Sequence, residues 1–247
     1  VIVMIFITAV AVTFNLQYSN KVTIRFVNSI RQVIFMQIGV GKSHAKIILI
    51  GEHAVVYGQP AIALPIFAVQ TQVSVIADTD LSEPLIQSTY YSGPLSQAVG
   101  QMTSIRYLID QLWQQLNDRQ VMFTLTIKSQ LPAERGMGSS AATAIAIIRG
   151  LYDFFKQPLD HQHLLELATL SENLIHGNPS GIDAATTGAT TPLLYVKGQQ
   201  PQPLPIKLNG YLVIADSGQK GQTGPAVKSV QNRLLANHDQ TQPIISH

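Results

Sequence analysis

The chain has 247 residues, of which 46% are hydrophobic, and its formal net charge at neutral pH is +2. Its 16 lysines and arginines are scattered along the sequence, which argues against a nucleic-acid-binding surface. The chain contains no cysteine, so disulfides, thiolate catalysis and cysteine-bound metals are excluded, and a reducing cytoplasm is the expected location.

The first 35 residues differ in character from the rest of the chain. The run VIVMIFITAVAVTF is apolar, but it is shorter than the roughly 20 residues that span a bilayer, and it lacks the features of a secretory signal. Met36 directly precedes a stretch that would make a natural start. We therefore expect residues 1–35 to be a non-native or disordered extension, with a membrane tether as the alternative.

Apolar runs and alternating patterns predict the first strands and helix. KIILIG, which begins at Lys46, has the character of a buried strand that ends at Gly51, and residues 67–77 alternate between apolar and polar as a strand does. The patterns that follow predict a loop or hairpin over 80–96, a helix over 97–117 and a half-buried strand over 121–130.

The second half of the chain predicts three helices. Glycines give way at Ser139 to an Ala/Ile-rich stretch that is apolar nearly all round, which indicates a buried helix. Asp160 is expected to cap the next helix, which Gly177 ends, and Asn178-Pro179 is expected to open the third. Strands are predicted near 192–196 and 210–215, so the fold class is α+β.

Pro132–Ala144, PAERGMGSSAATA, is the strongest candidate for a phosphate-binding loop. Gly136 and Gly138 lack a Cβ atom, so a phosphate can approach their backbone closely. The loop leads into a helix N-terminus, whose unpaired N–H groups favour an anion, and Ser139 and Ser140 add hydroxyls for phosphate or Mg²⁺. A capped helix after a glycine-rich turn is the alternative.

Gly39–Ser43, GVGKS, is similar to the end of a Walker A loop. The full pattern needs a glycine five residues before Gly41, and that position is Met36. We therefore reject a P-loop at this position.

Two acidic residues within SENLIHGNPSGIDAATTG, residues 171–188, are candidates for phosphoryl-transfer chemistry. Glu172 lies near the end of one predicted helix and Asp183 in the first turns of the next. Such chemistry needs one acidic group to hold Mg²⁺ and another to accept or orient the proton of the nucleophile. A solvated glutamate and an aspartate that favours the helix dipole fit the residues equally well.

KIILIGEHAVVYG contributes the basic candidates. Lys46 and the Glu52-His53 pair fit either a functional site or a surface lysine followed by a turn. His161 and His163 are spaced like an exposed pair, and no third ligand indicates zinc.

Together these segments resemble the GHMP kinases, which phosphorylate small molecules with ATP. The resemblance covers residues 36–236, and its core is Pro132-x-x-x-Gly136-Met137-Gly138-Ser139-Ser140-Ala141, with Met where the family usually has Leu. GEHAVVYG and HGNPSGIDAATT look like the branch that acts on mevalonate. The resemblance thus implies transfer of the γ-phosphate of ATP to the 5-hydroxyl of mevalonate, in isoprenoid precursor synthesis. The alternatives are a kinase that acts on a different small alcohol and a non-catalytic remnant that binds nucleotide without turnover.

The resemblance also implies roles for individual residues. Asp183 matches the catalytic base, Lys46 the lysine beside it, and Glu172 with Ser140 the ligands of Mg²⁺. The expected ATP phosphate contacts are Gly136, Met137, Gly138, Ser139 and Ser140, and the expected mevalonate contacts are Glu52, His53 and Thr223. A homodimer is a family-level expectation, and neither nucleic acid nor a membrane is an expected partner.

The fold that the resemblance implies has two domains. Residues 36–188 would form an ATP-binding domain like ribosomal protein S5 domain 2, with a left-handed βαβ crossover, and 189–247 would begin a ferredoxin-like domain. The family's third motif, a glycine-rich stretch late in that second domain, is absent. We therefore expect the chain to be truncated at its C-terminus and to be weakly active or inactive alone.

Overall fold

The computed structural model describes residues 4–7, 10–13, 21–24, 34–52, 54–116, 121–176, 180–206, 210–216, 218, 221 and 223–237. The strands are β1 (Met4–Ile7), β2 (Val10–Thr13), β3 (Lys21–Ile24), β4 (Ile34–Ile50), β5 (Ala61–Ala77), β6 (Leu85–Gln87), β7 (Ser92–Pro94), β8 (Phe123–Ser129), β9 (Leu193–Tyr195) and β10 (Gln202–Pro203). The α-helices are α1 (Thr103–Leu116), α2 (Ser139–Phe155), α3 (His161–His176), α4 (Ile182–Gly188) and α5 (Thr223–Ala236). This mixture of strands and helices confirms the predicted α+β class.

A long antiparallel pair, β4 with β5, is the backbone of the main sheet. The pairing runs from Ile38 opposite Ile76 to Ile50 opposite Ile62, with a register shift between His44 and Ala45. The other edge of β5 pairs with β8 near one end and with β9 near the other. β6 lies parallel to β8, so β6, α1 and β8 form a βαβ unit, and β7 and β10 extend the sheet at its two sides.

Helix α2 packs closely against β4 because three glycines lie at their contact: Gly39 and Gly41 on β4 and Gly150 on α2. A Cβ atom added at Gly41 would lie 1.9 Å from the carbonyl oxygen of Ala146, and one added at Gly39 would lie 2.3 Å from that of Gly150. Any larger residue would force the helix away from the strand. GVGKS is therefore part of a strand in contact with a helix, and the rejection of a Walker A loop is confirmed.

The main core lies between the sheet and the helices α1, α2 and α3. Helix α2 is buried nearly all round, as its apolar sequence predicts, and α1 buries the stripe that contains Leu108, Ile109 and Leu112. Phe123 on β8 meets Phe154 on α2 with ring centroids 5.7 Å apart. Each such side chain contributes about 1.5–3 kcal/mol of burial, so α2 is held firmly at the centre of the fold.

Most predicted elements are confirmed, with shifted boundaries. Residues 80–96 contain the β6–β7 hairpin, and the backbone N–H of His163 donates to Asp160 Oδ1 at 2.8 Å, which confirms the predicted cap of α3. The strand predicted over 67–77 begins earlier, at Ala61, and passes through Pro65. Pro65 is tolerated because, among the described strands, the β5 positions between Ala63 and Thr71 pair only with β4.

Two helix starts and one strand were predicted wrongly. Helix α1 begins at Thr103, after 3₁₀ turns at Leu95–Gln97 and Gly100–Met102. Helix α4 begins at Ile182, and its N-cap is Gly181, with a positive φ of 81°. Asn178-Pro179 and Gly177 lie outside the described residues. Residues 210–216 are not paired as a strand, because no described strand lies beside them.

Strands β1, β2 and β3 fall within the first 35 residues, and β3 pairs with the beginning of β4. The proposed boundaries at 36 and 189 remain predictions. Within the described ranges, every helix is too short or too polar to cross a lipid bilayer.

Candidate active site

Lys46 and Asp183 form a close ion pair between the sheet and a helix. Lys46 lies on β4 and is only 4% exposed, whereas Asp183 lies in the first turn of α4. The Lys46 Nζ is 2.8 Å from Asp183 Oδ1, and 41% of the aspartate side chain remains exposed. The lysine therefore faces a carboxylate that is still open to a ligand.

Glu172 brings a second carboxylate to the same place from α3. It is 5% exposed and accepts a hydrogen bond from the backbone N–H of Ala184. Burial, followed by the negative charge of Asp183, raises the pKa of Glu172 to about 7, although Lys46 and the Ala184 hydrogen bond act in the opposite direction. Two carboxyl groups thus share one lysine in a poorly solvated setting.

The glycine-rich loop lies directly over Lys46. Gly138 has a positive φ of 73° and is the N-cap of α2. A Cβ atom at Gly138 would lie 2.9 Å from Lys46 Cγ and 3.2 Å from Thr187 Cγ2, so the loop can approach this closely only with glycine. The Lys46 N–H also donates to the Met137 carbonyl at 3.0 Å. The loop, the lysine and α4 are thus in direct contact.

The two serines occupy the first turn of α2. Ser139 is half-buried and Ser140 is exposed. The Ser139 carbonyl accepts from the hydroxyl of Thr143, and the Gly138 carbonyl accepts from the N–H of Ala142. None of the described side chains caps this end of α2, and the first N–H groups of a helix have no partner within it, so the terminus can accept an anion.

The residues expected around the second substrate are less closely assembled. Glu52 lies exposed in the turn after β4, and His53 lies outside the described residues. Thr223 begins α5, and the segment before it approaches the loop, because the Gly221 N–H donates to the Glu134 carbonyl at 2.7 Å.

Tyr195 is a site residue that the sequence did not reveal. Its hydroxyl donates to the Ser180 carbonyl at 2.5 Å, just before α4 begins. Burial, followed by the charge of Glu172, raises the pKa of this phenol. The surrounding PLLYV indicates only a strand, because a tyrosine that packs and one that holds a turn look alike in sequence.

The oxygen-bearing side chains fit Mg²⁺. Glu172, Asp183 and the serine hydroxyls are the hard oxygen ligands that this cation prefers, and a nearby cation would favour the ionised form of Glu172, whose pKa burial and then the charge of Asp183 raise. No group of three or more His, Asp or Glu suited to a metal occurs in the described part of the chain.

A separate surface cavity of about 450 Å³ lies near the C-terminal end of α2. Two carboxylates in its wall already accept backbone hydrogen bonds, Asp153 from Val40 and Asp160 from His163. The cavity is lined by Arg149, Tyr152, Asp153, Gln157, Leu159, Asp160, His161 and Leu164. None of the residues predicted for catalysis lines it.

Residues 104–189 match the sequence model of the GHMP kinases N-terminal domain. The matched segment runs from α1 to the end of α4 and includes the glycine-rich loop, Glu172 and Asp183. The fold and the match identify this part of the chain as a GHMP kinase N-terminal domain, as the sequence predicted.

Within that class, the relatives it matches are mevalonate kinases. The mevalonate kinase of Pyrococcus horikoshii is 32% identical over 216 residues, which cover 81% of this chain and 63% of the archaeal protein. A crystal structure of mevalonate kinase from Staphylococcus aureus MRSA252 is 35% identical, with a TM-score of 0.55, over 69% of this chain and 57% of that one. The L. major mevalonate kinase in complex with R-mevalonate shares the fold, with a TM-score of 0.70 at 22% identity over 84% of this chain and 64% of that one. The chain thus spans less than two thirds of the length of these relatives.

Proposed function

We propose that the protein is an ATP-dependent kinase that phosphorylates the 5-hydroxyl of mevalonate, giving mevalonate 5-phosphate and ADP for isoprenoid precursor synthesis. The observation that carries the proposal is the Lys46–Asp183 ion pair of 2.8 Å directly beneath Gly138, where a glycine-rich loop enters α2. The similarity to mevalonate kinases over 81% of the chain supports the choice of alcohol.

The loop from Gly136 to Ser140 would bind the phosphates of ATP. Unpaired N–H groups at the start of α2 and the positive end of its dipole favour the anion, and the exposed Ser140 hydroxyl adds a donor. Gly136 has a positive φ of 71°, and among the described residues, apart from its chain neighbours, no atom lies within 4 Å of the place where its Cβ would be, so a phosphate has room beside it.

Asp183 would accept the proton of the mevalonate hydroxyl while the oxygen of that hydroxyl forms a bond to the γ-phosphorus of ATP. The bond from that phosphorus to the β–γ bridging oxygen breaks, and ADP leaves with the bond's electron pair. Lys46 would stabilise the carboxylate and the charge that develops on the attacking oxygen. In phosphoryl transfer such positioning and charge stabilisation contribute more than proton abstraction does.

Glu172 and Ser140 would hold Mg²⁺, which when bound neutralises charge on the transferring phosphates. Glu172 suits this role because its buried carboxyl is costly to ionise without a nearby cation. Glu52, His53 and Thr223 would contact mevalonate. The Gly221–Glu134 hydrogen bond supports Thr223, because it holds the preceding segment against the loop.

The test is ADP release by this chain with ATP and Mg²⁺, with and without mevalonate. We expect release that depends on mevalonate, weak or absent in this chain and stronger in a C-terminally extended form, and that is not supported by galactose, homoserine or phosphomevalonate. Release with one of those alcohols instead would show a GHMP kinase of different specificity. Nucleotide binding without release, by this chain and by a C-terminally extended form, would favour a remnant that does not turn over. We also propose that the protein is cytoplasmic and that it forms a homodimer. Size-exclusion chromatography with light scattering would check the homodimer.

A further inference from the structure

The last turn of α4 is held by side chains from two other elements. Three consecutive carbonyls there accept side-chain hydrogen bonds: Thr187 from the Ser43 hydroxyl at 2.9 Å, Gly188 from Arg149 Nη2 at 2.9 Å and Ala189 from His44 Nε2 at 2.7 Å. Because a carbonyl oxygen only accepts, Nε2 is the donor in the contact with Ala189, while Nδ1 of the same ring lies 3.0 Å from the Ala45 carbonyl. We call Ser43, His44 and Arg149 the α4 clamp.

Such external support is needed because α4 is short. It has seven residues, and isolated helices below about 12–15 residues are marginal in water. The final carbonyls of a helix have no partner within it, so side-chain donors at this end satisfy them. The clamp thus replaces, by tertiary contacts, the stability that the helix lacks by itself.

The clamp also links β4, which carries Lys46, to α4, which carries Asp183. Ser43 and His44 lie on β4 two to three residues before Lys46, and the Thr187 hydroxyl donates back to the Asp183 carbonyl at 2.8 Å. Arg149 bridges the two elements, since its Nη1 donates to the Lys42 carbonyl on β4 at 2.7 Å. Movement of the end of α4 would therefore move Asp183 relative to Lys46.

We infer that Ser43, His44 and Arg149 are positioning residues, which set the place of Asp183 against Lys46 by anchoring the C-terminal end of α4 to β4. The inference gives a role to the GVGKSH stretch, whose glycines admit α2 and whose Ser43 and His44 hold α4. The catalytic meaning of the clamp rests on the proposed function, but its effect on the Lys46 environment does not.

The first experiment measures how fast the Lys46 amine reacts with acetic anhydride in the whole chain, by mass spectrometry, relative to the exposed Lys128. Ser43→Ala removes one clamp donor, and His44→Phe removes another while keeping a ring beside Phe67. We expect each to speed Lys46 acylation roughly three- to tenfold, the range that one lost hydrogen bond allows. His44→Gln, which keeps a donor, should stay near the wild-type rate.

Gln37→Leu is the matched control. It removes a β4 side chain that donates to a different helix carbonyl, Phe154 at 2.7 Å on α2. It should leave Lys46 acylation unchanged within about twofold, the small effect expected of a hydrogen bond with no part in the site. Wild-type acylation rates in both Ser43→Ala and His44→Phe, or equal increases in Gln37→Leu, would overturn the clamp.

Steady-state kinetics supply the second readout. In a chain that turns over, the clamp variants should lower kcat about tenfold or more while KM for ATP changes less than about twofold, because a misplaced reacting group costs rate more than binding. His44→Gln should recover most of the kcat. Should neither the wild-type chain nor its C-terminally extended form show turnover, the proposed function fails, yet the acylation rates still decide whether the clamp holds α4.

Discussion

Replacing Glu172 with glutamine is expected to stabilise the protein at alkaline pH while raising the Mg²⁺ concentration that it requires. The glutamate is 5% exposed, and burial with the neighbouring Asp183 raises its pKa to about 7 from an ordinary 4.5. The folded state therefore holds this proton more tightly than the unfolded chain does. Its stability accordingly falls as the pH rises from about 4.5 through about 7.

The size of the effect follows from those two pKa values. Relative to a carboxyl whose pKa did not change on folding, Glu172 lowers the free energy of unfolding by about 3 kcal/mol at pH 8, but by only about 1 kcal/mol at pH 5, where the folded protein keeps its proton. Glutamine has no such cost, and its side-chain oxygen can still accept from the Ala184 N–H. For a chain of this size the difference of about 2 kcal/mol corresponds to about 4–8 °C more gain in Tm at pH 8 than at pH 5.

The assay is thermal or urea denaturation of wild type and Glu172→Gln at pH 5 and pH 8 without nucleotide. Glu166→Gln is the control, because that glutamate lies on the same helix with 60% of its side chain exposed, and its 3.5 Å contact with His163 is a surface pair that should add at most a small pH-dependent change. Equal gains of Glu172→Gln at both pH values, or none at pH 8, would refute the burial argument.

The same variant tests the metal role with a different readout. Mg²⁺ with ATP should raise the Tm of the wild type, because a ligand that binds only the folded state stabilises it. The rise should be smaller in Glu172→Gln, and the Mg²⁺ concentration required for turnover should increase. An undiminished rise would show that Glu172 is not a ligand.

Four further substitutions address the other parts of the site. Asp183→Ala should lower kcat by about 10²–10⁴-fold, the usual contribution of an acid–base group, with ATP binding measured by calorimetry largely retained. Near-normal turnover would exclude Asp183 as the base. Gly138→Ala should destabilise by at least about 1–2 kcal/mol through its left-handed backbone and also displace Lys46, whereas Gly136→Ala, with a similar φ and open space, should show only the backbone cost in urea titrations. Tyr195→Phe should cost about 1 kcal/mol by leaving the carbonyl before α4 without its hydroxyl donor, and an unchanged urea midpoint would show that this bond contributes nothing.

The local features of this protein, such as its loops and helix starts, could be predicted from the sequence alone. Glycines followed by a serine pair and an Ala/Ile-rich run specify a loop that enters a buried helix, and α2 begins at Ser139 as expected. The motif resemblance singled out Lys46, Glu172 and Asp183, which the structure brings together. These features are readable because capping, backbone freedom and periodic burial each depend on residues that are neighbours in the chain.

The contacts between those residues could not be predicted from the sequence, because they depend on how distant elements pack together. Gly39 and Gly41 resemble part of a nucleotide loop in sequence, yet they lie in a strand because α2 packs against them. Likewise, nothing in the sequence distinguishes Tyr195 and His44 from other strand residues. The backbone carbonyls that accept from them lie just before and just after α4, and they come close only in the folded chain. A hydrogen bond from a side chain to a distant backbone carbonyl leaves no periodic trace in the sequence. Its partner exists only once strand and helix are packed together.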